Sequence, residues 1–172
     1  MTKNSTLAFA FALAASVSVA LSGAAFAQAA TRIKQNNAWG SYSHQGNNGK
    51  ICYILSMPTE KNPSDRDHGD VFFMLAQHPG QNVTLEPQFK VGYAFEDNSK
   101  VVLDIDGKKF NMFTRGQNAW MENPAEDTLV VDAMKAGREM SLSAVSRRGT
   151  QTRYVYSLSG VTASLDDIGQ CQ

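Results

Sequence analysis

From residue 71 to residue 76 every side chain is apolar (Val71, Phe72, Phe73, Met74, Leu75, Ala76), with Gly69 and Asp70 before the run and Pro79 and Gly80 after it. A short continuous apolar run between turn residues predicts a buried central strand. Elsewhere the period is mostly two. Phe89, Val91 and Tyr93 alternate with Gln88, Lys90 and Gly92, and Val101, Leu103 and Ile105 alternate with Val102, Asp104 and Asp106. Both stretches read as half-buried strands. Asp106-Gly107 separates the second from residues 108–114, a hairpin signal because glycine accepts positive φ at no steric cost. Asp97 and Asn98 turn the pair before it. Met140, Leu142 and Ala144, then Arg147-Arg148-Gly149, then Tyr154, Tyr156 and Leu158 form a second predicted hairpin, with a basic tip.

Two segments leave this period. Leu129, Val130, Ala133 and Met134 share one helical face, with Glu126 and Asp127 at the start, Lys135 near the end and Gly137 as the stop. Val161, Leu165, Ile168 and Cys171 follow at helical spacing, so a short last helix directs Cys171 to its packed face. Residues 39–43 predict a short first strand and 45–50 a polar loop, leading into a strand at 51–55. Residues 59–70 read as an exposed loop, rich in Asn62, Pro63, Ser64 and Asp65, and 31–37 as a frayed terminus. About eight strands with tight turns and one or two short helices predict an all-β, antiparallel sandwich.

The N-terminus changes the picture. Lys3 is the only charge before Arg32, residues 7–21 are apolar apart from small serines, and Ala25 and Ala27 flank Phe26 as an Ala-x-Ala cleavage pattern. This is the pattern of a secretory signal peptide, residues 1–27, with cleavage expected after Ala27. A membrane anchor is the competing reading, but the run is short for a span and lacks basic flanking residues. Residues 28–172 then form a single domain with no transmembrane span. Cleavage removes Lys3 from 16 basic residues, leaving 15 against 16 acidic, a net charge of −1. Nothing in that balance supports a nucleic-acid-binding surface. No cysteine follows the cleavage site to carry a lipid.

Export gives the two cysteines a meaning. Cys52 and Cys171 sit at opposite ends of the mature domain, and in an oxidising compartment such a pair forms a disulfide. Two unpaired thiols, or half of a metal site, are the alternative, but no His or Cys lies within four residues of either to complete a ligand set.

The chain also resembles a known family. Cys52-Tyr53, Leu55-Ser56-Met57-Pro58, Gly92-Tyr93 and Ile105-Asp106-Gly107 with Phe110 are followed by Ala119-Trp120, then Ala133-Met134-Lys135-Ala136-Gly137. Ser146-Arg147-Arg148-Gly149-Thr150, Thr152, Tyr156-Ser157-Leu158-Ser159-Gly160 and Cys171 complete the pattern. In order and spacing these stretches resemble the invasion-associated locus B family of exported Gram-negative bacterial proteins. The resemblance implies an immunoglobulin-like β-sandwich in the periplasm or on the outer surface, a link to host-cell invasion, and no catalytic residues. Many members carry a further cysteine in the first strand. Here Gly40, Ser41, Tyr42 and Ser43 follow Trp39, so no second disulfide is expected.

Candidate chemistry is sparse. Asp65, Asp67, His68 and Asp70 are the one dense cluster of ligand-type groups, but the spacing lacks the glycine and terminal glutamate of a calcium loop, and a solvated turn is the simpler reading. His44 and His78 read as surface residues. No Gly-x-Ser-x-Gly elbow and no phosphate-binding glycine loop occurs, so no catalytic residue, metal or cofactor is expected. Arg147 and Arg148 at the hairpin tip can engage carboxylates or phosphates of a partner protein or envelope component; the plainer alternative is a solubilising turn. Trp120 is either an exposed aromatic anchor or part of the core, and Ala119 and Met121 beside it favour the core. Tyr154 and Tyr156 share a strand face and are expected to pack. The expected function is non-catalytic binding. The alternative, a periplasmic hydrolase or small-ligand carrier, predicts a concave pocket with converging polar groups.

Overall fold

A computed structural model describes residues 29–46, 48–81 and 83–169. Residues 1–27, expected from the sequence to be a signal peptide, and Cys171 lie outside the described residues. The strands are β1 (Thr31–Asn36), β2 (Trp39–Gly46), β3 (Gly49–Ser56), β4 (Glu60–Asn62), β5 (Phe72–His78), β6 (Val83–Lys90), β7 (Lys100–Ile105), β8 (Lys108–Arg115), β9 (Asn118–Met121), β10 (Glu139–Val145) and β11 (Gln151–Ser157). Two helices interrupt them, α1 (Asp127–Ala136) before β10 and α2 (Val161–Ile168) after β11.

All the strand pairs are antiparallel and hydrogen-bonding is continuous through the order β1-β2-β3-β5-β6-β9-β8-β7-β10-β11-β4. The sheet folds over its own apolar face. Five strands separate β5 from β11 in that order, yet the Phe73 ring lies 6.4 Å from that of Tyr156, and Phe89 of β6 lies 5.4 Å from Tyr154. Contact between strands so distant in the ladder makes the fold sandwich-like: two inward faces share one core of Trp39, Phe73, Leu75, Phe89, Leu103, Met112, Leu142, Tyr154 and Tyr156. The all-β antiparallel fold with two short helices agrees with the sequence pattern.

Both hairpins form at the expected turns. Asp106 (φ 46°) and Gly107 (φ 93°) occupy the left-handed region that a two-residue hairpin turn requires. The number of strands is higher than the hydrophobic pattern suggests, because β1, β4 and β9 are short or polar. Residues 31–36 are an edge strand paired with β2, not a frayed end. Residues 60–62 pair with β11, and the backbone N–H of Thr59 donates to the Val155 carbonyl at 2.7 Å. Backbone ladders at sheet edges require no apolar alternation, so hydrophobic periodicity does not mark them.

Helix α1 packs on β6 through Val130, Val131 and Met134. Leu129, expected on the buried face, is 48% exposed, because Val131 fills the adjoining position and shifts the face by part of a turn. Helix α2 buries Val161, Leu165 and Ile168 as expected and packs against β1, β2 and β3. It is fastened by polar contacts: Asn36 Nδ2 donates to Asp167 Oδ2 at 2.6 Å, Ser41 Oγ to the same oxygen at 2.9 Å, and Ser164 Oγ to the Trp39 carbonyl at 3.2 Å.

Candidate functional site: an arginine-rimmed cleft

A cleft of about 630 Å³ opens at the end of the β10–β11 hairpin, between the hairpin tip, the loop before β5 and the loop after β6. Its position follows from local hydrogen bonds. The Arg147 N–H donates to the Ala94 carbonyl at 2.8 Å and the Glu96 N–H to Val145 at 2.9 Å, tying the hairpin to the loop after β6. The Gly92 N–H donates to the His68 carbonyl at 3.0 Å, tying that loop to the one before β5.

The rim carries three guanidinium groups, Arg66, Arg147 and Arg148, against one carboxylate, Asp67. Arg147 reaches Asp97 at 3.4 Å, an exposed pair of small energetic value that a ligand anion can replace. Among the described residues Arg148 enters no ion pair.

The floor is a chain of hydroxyls ending on a histidine. His68 is 5% exposed. Its Nε2 lies 2.9 Å from the Pro63 carbonyl, which only accepts, so that nitrogen carries a proton. Its Nδ1 lies 2.7 Å from Tyr154 Oη; Tyr154 Oη donates to Tyr93 Oη at 2.9 Å, and Tyr93 Oη lies 2.7 Å from Thr152 Oγ1. Thr152 Oγ1 in turn donates to the Ala144 carbonyl at 3.3 Å. Run in that direction, the chain needs a proton on Nδ1 as well, and Ala144 satisfies its far end. A neutral imidazole fits with the hydroxyl protons reversed toward His68. Burial pushes the Tyr93 and Tyr154 phenols above their ordinary range, so both remain protonated donors.

The family model of the invasion associated locus B (IalB) protein matches residues 39–169. The chain belongs to this family. Among solved structures, the crystal structure of invasion associated protein b from Bartonella henselae is similar to this locus B family member, with a TM-score of 0.55 and 14% identity over 77% of this chain and 92% of that one. That likeness concerns the fold. No curated protein matches the chain in sequence.

Of the residues singled out from the locus B sequence, Arg147 and Arg148 do stand at the cleft. Trp120 does not join them. It is half-buried on the outer face of β9, its ring stacked on Phe113 with centroids 5.7 Å apart. Core packing, the reading favoured from its neighbours, therefore belongs to Ala119 and Met121 and not to Trp120 itself, because alternate residues of a strand face opposite ways. Cys52 is 1% exposed, and no free cysteine occurs among the described residues. Tyr154 and Tyr156 are wholly buried, as expected.

The acidic cluster is dispersed by the fold. Asp65 faces Arg66 at 3.9 Å, Asp67 Oδ1 accepts from the Gly69 N–H at 2.8 Å, and His68 turns inward. Among the described residues no three His, Cys, Asp or Glu side chains converge as a metal site. Reading 59–70 as a solvated loop overlooks His68, and Arg66 beside it. Nothing in a polar, aperiodic stretch distinguishes an inward histidine. The Thr152–Tyr154 alternation on β11 marks the face it joins, but not the residue that completes it.

Proposed function

We propose that this locus B family member is an exported envelope protein that works by binding and not by turnover. The arginine-rimmed cleft takes an acidic group, carboxylate or phosphate, of a partner protein or envelope component. The observation that carries this reading is the excess of guanidinium groups over a rigid hydroxyl floor. Arginine forks suit planar anions, and the Tyr93 and Thr152 hydroxyls, their protons engaged within the chain, fix the base of the cleft. Export rests on the signal-peptide pattern of residues 1–27, which lies outside the described residues. Among the described residues no helix is long and apolar enough to cross a membrane.

Nucleophilic catalysis finds little support in the cleft. Both ring nitrogens of His68 are engaged, with Tyr154 and with Pro63, and Ser146 Oγ accepts from the Thr150 N–H at 3.1 Å. A base must reach its nucleophile to activate it. The cleft volume falls in the range of small-ligand pockets, which keeps carriage of a small anion as a second reading.

Cross-linking in intact cells, followed by identification of the captured partner, tests the proposal when the protein is compared with an Arg147→Ala/Arg148→Ala variant. Loss of the captured species in the variant supports the cleft. Unchanged recovery removes it.

A further inference from the structure

The outer face of the sheet carries a second depression, of about 350 Å³, built on different chemistry. Phe113 and Trp120 are cross-strand partners on β8 and β9, and their rings stack on each other, centroids 5.7 Å apart and planes 26° from parallel, forming the apolar floor. Phe113 is 44% exposed although Met112 beside it is fully buried. Around this floor stand Glu86, Arg115 and Asp127, with Pro124 as a wall. Among the described residues none of these three charged side chains enters an ion pair, and Asp127 Oδ1 is shielded from water without a hydrogen-bond partner. Gln88 pairs with Trp120 across the β6–β9 ladder and donates to Asn118 at 3.4 Å, adding planar amides at the edge.

The rim restricts the occupant. An anion suits Arg115 but meets Glu86 and Asp127; a cation suits the carboxylates and the ring faces but meets Arg115. A purely apolar group strips water from all three and returns no hydrogen bond, which costs free energy. An uncharged ring with a flat C–H face and hydroxyls around its edge satisfies every element. Its C–H face stacks on the aromatic floor, while its hydroxyls donate to the carboxylates and accept from the guanidinium. We infer that the Phe113–Trp120 shelf binds a pyranose unit of a neutral glycan. This site is separate from the arginine cleft and does not depend on it.

Tryptophan emission of the mature domain reports binding, because Trp39 is buried and Trp120 is the half-exposed indole. The probes are maltotriose, cellotriose and tri-N-acetylchitotriose, each titrated to saturation or solubility, with tetramethylammonium chloride and sodium sulfate as charged competitors. At least one trisaccharide is expected to give a saturable change, weakened about tenfold or more in Trp120→Ala, equivalent to about 1.4 kcal/mol. Glu86→Gln, an outward-facing change that leaves the floor intact, weakens the sugar response and does not weaken any response to sulfate. In these variants the signal is read by NMR shifts of the β8–β9 amides, so loss of the fluorophore does not mimic loss of binding. Arg147→Ala/Arg148→Ala retains the sugar response. No saturable response to any trisaccharide, an equal response in Trp120→Ala, or a response to tetramethylammonium alone overturns the inference.

Discussion

Gly92 rests directly against Gly69. A Cβ added to Gly92 would stand 2.5 Å from Gly69 Cα and 2.6 Å from the His68 carbonyl oxygen. The two glycines let the loop after β6 touch the loop before β5, and this contact sets His68 on one side and Tyr93 on the other into the same hydroxyl chain. Gly92→Ala therefore forces backbone apart. It is expected to cost about 1–3 kcal/mol in urea unfolding and to shift the His68 and Tyr93 ring resonances together. A variant as stable as the parent, with unmoved resonances, contradicts the role given to this contact.

Two neighbouring tyrosines give opposite responses to loss of the hydroxyl. Tyr154→Phe leaves Nδ1 of His68 and Tyr93 Oη without their shared partner and is expected to destabilise by about 1–3 kcal/mol. Tyr156 Oη is buried with no partner, so Tyr156→Phe is expected to stabilise by about 1 kcal/mol. Urea denaturation of both variants decides the sign in each case.

Asp127 sets a pH dependence. Burial, and then repulsion from Glu86, pushes its carboxyl from an ordinary 3.8 up to about 6. Between those values the folded protein holds a proton that the unfolded chain has released, so this group's contribution falls as pH rises through the window and the penalty is complete above it. Asp127→Asn removes that penalty, less the favourable interaction of a carboxylate with the start of α1, about 0.3–1 kcal/mol. The variant is expected to melt higher than the parent at about pH 7.5 and equally at about pH 3.5. An unchanged difference across that range rules out titration of Asp127 as the cause.

The proposed bridge between Cys52 and Cys171 closes a loop of more than 100 residues. In the chain-entropy model such a loop is worth about 4–5 kcal/mol, less native strain. Dithiothreitol is expected to lower the melting temperature of the parent and leave a Cys52→Ala variant unaffected. Equal insensitivity of both proteins shows that the pair contributes nothing.

Much of the fold is legible in the residues themselves. The apolar run at 71–76, the Asp106-Gly107 turn and the spacing of Val161, Leu165 and Ile168 each dictate a local structure, because burial and backbone conformation act through near neighbours. Arg147 and Arg148 are likewise placed at a tip by the two alternating strands that flank them. These features determine an antiparallel, core-filled domain with a basic corner. Tertiary structure alone decided what faces that corner. His68 is turned inward by a hydroxyl 86 positions away, and the hydroxyl chain exists only because strands far apart in the ladder close over one core. The outward shelf of Phe113 and Trp120 is also a product of register, since a one-residue slip of either strand would have sent its ring inside. Local periodicity reports which element forms; long-range pairing decides which side chains from separate elements meet.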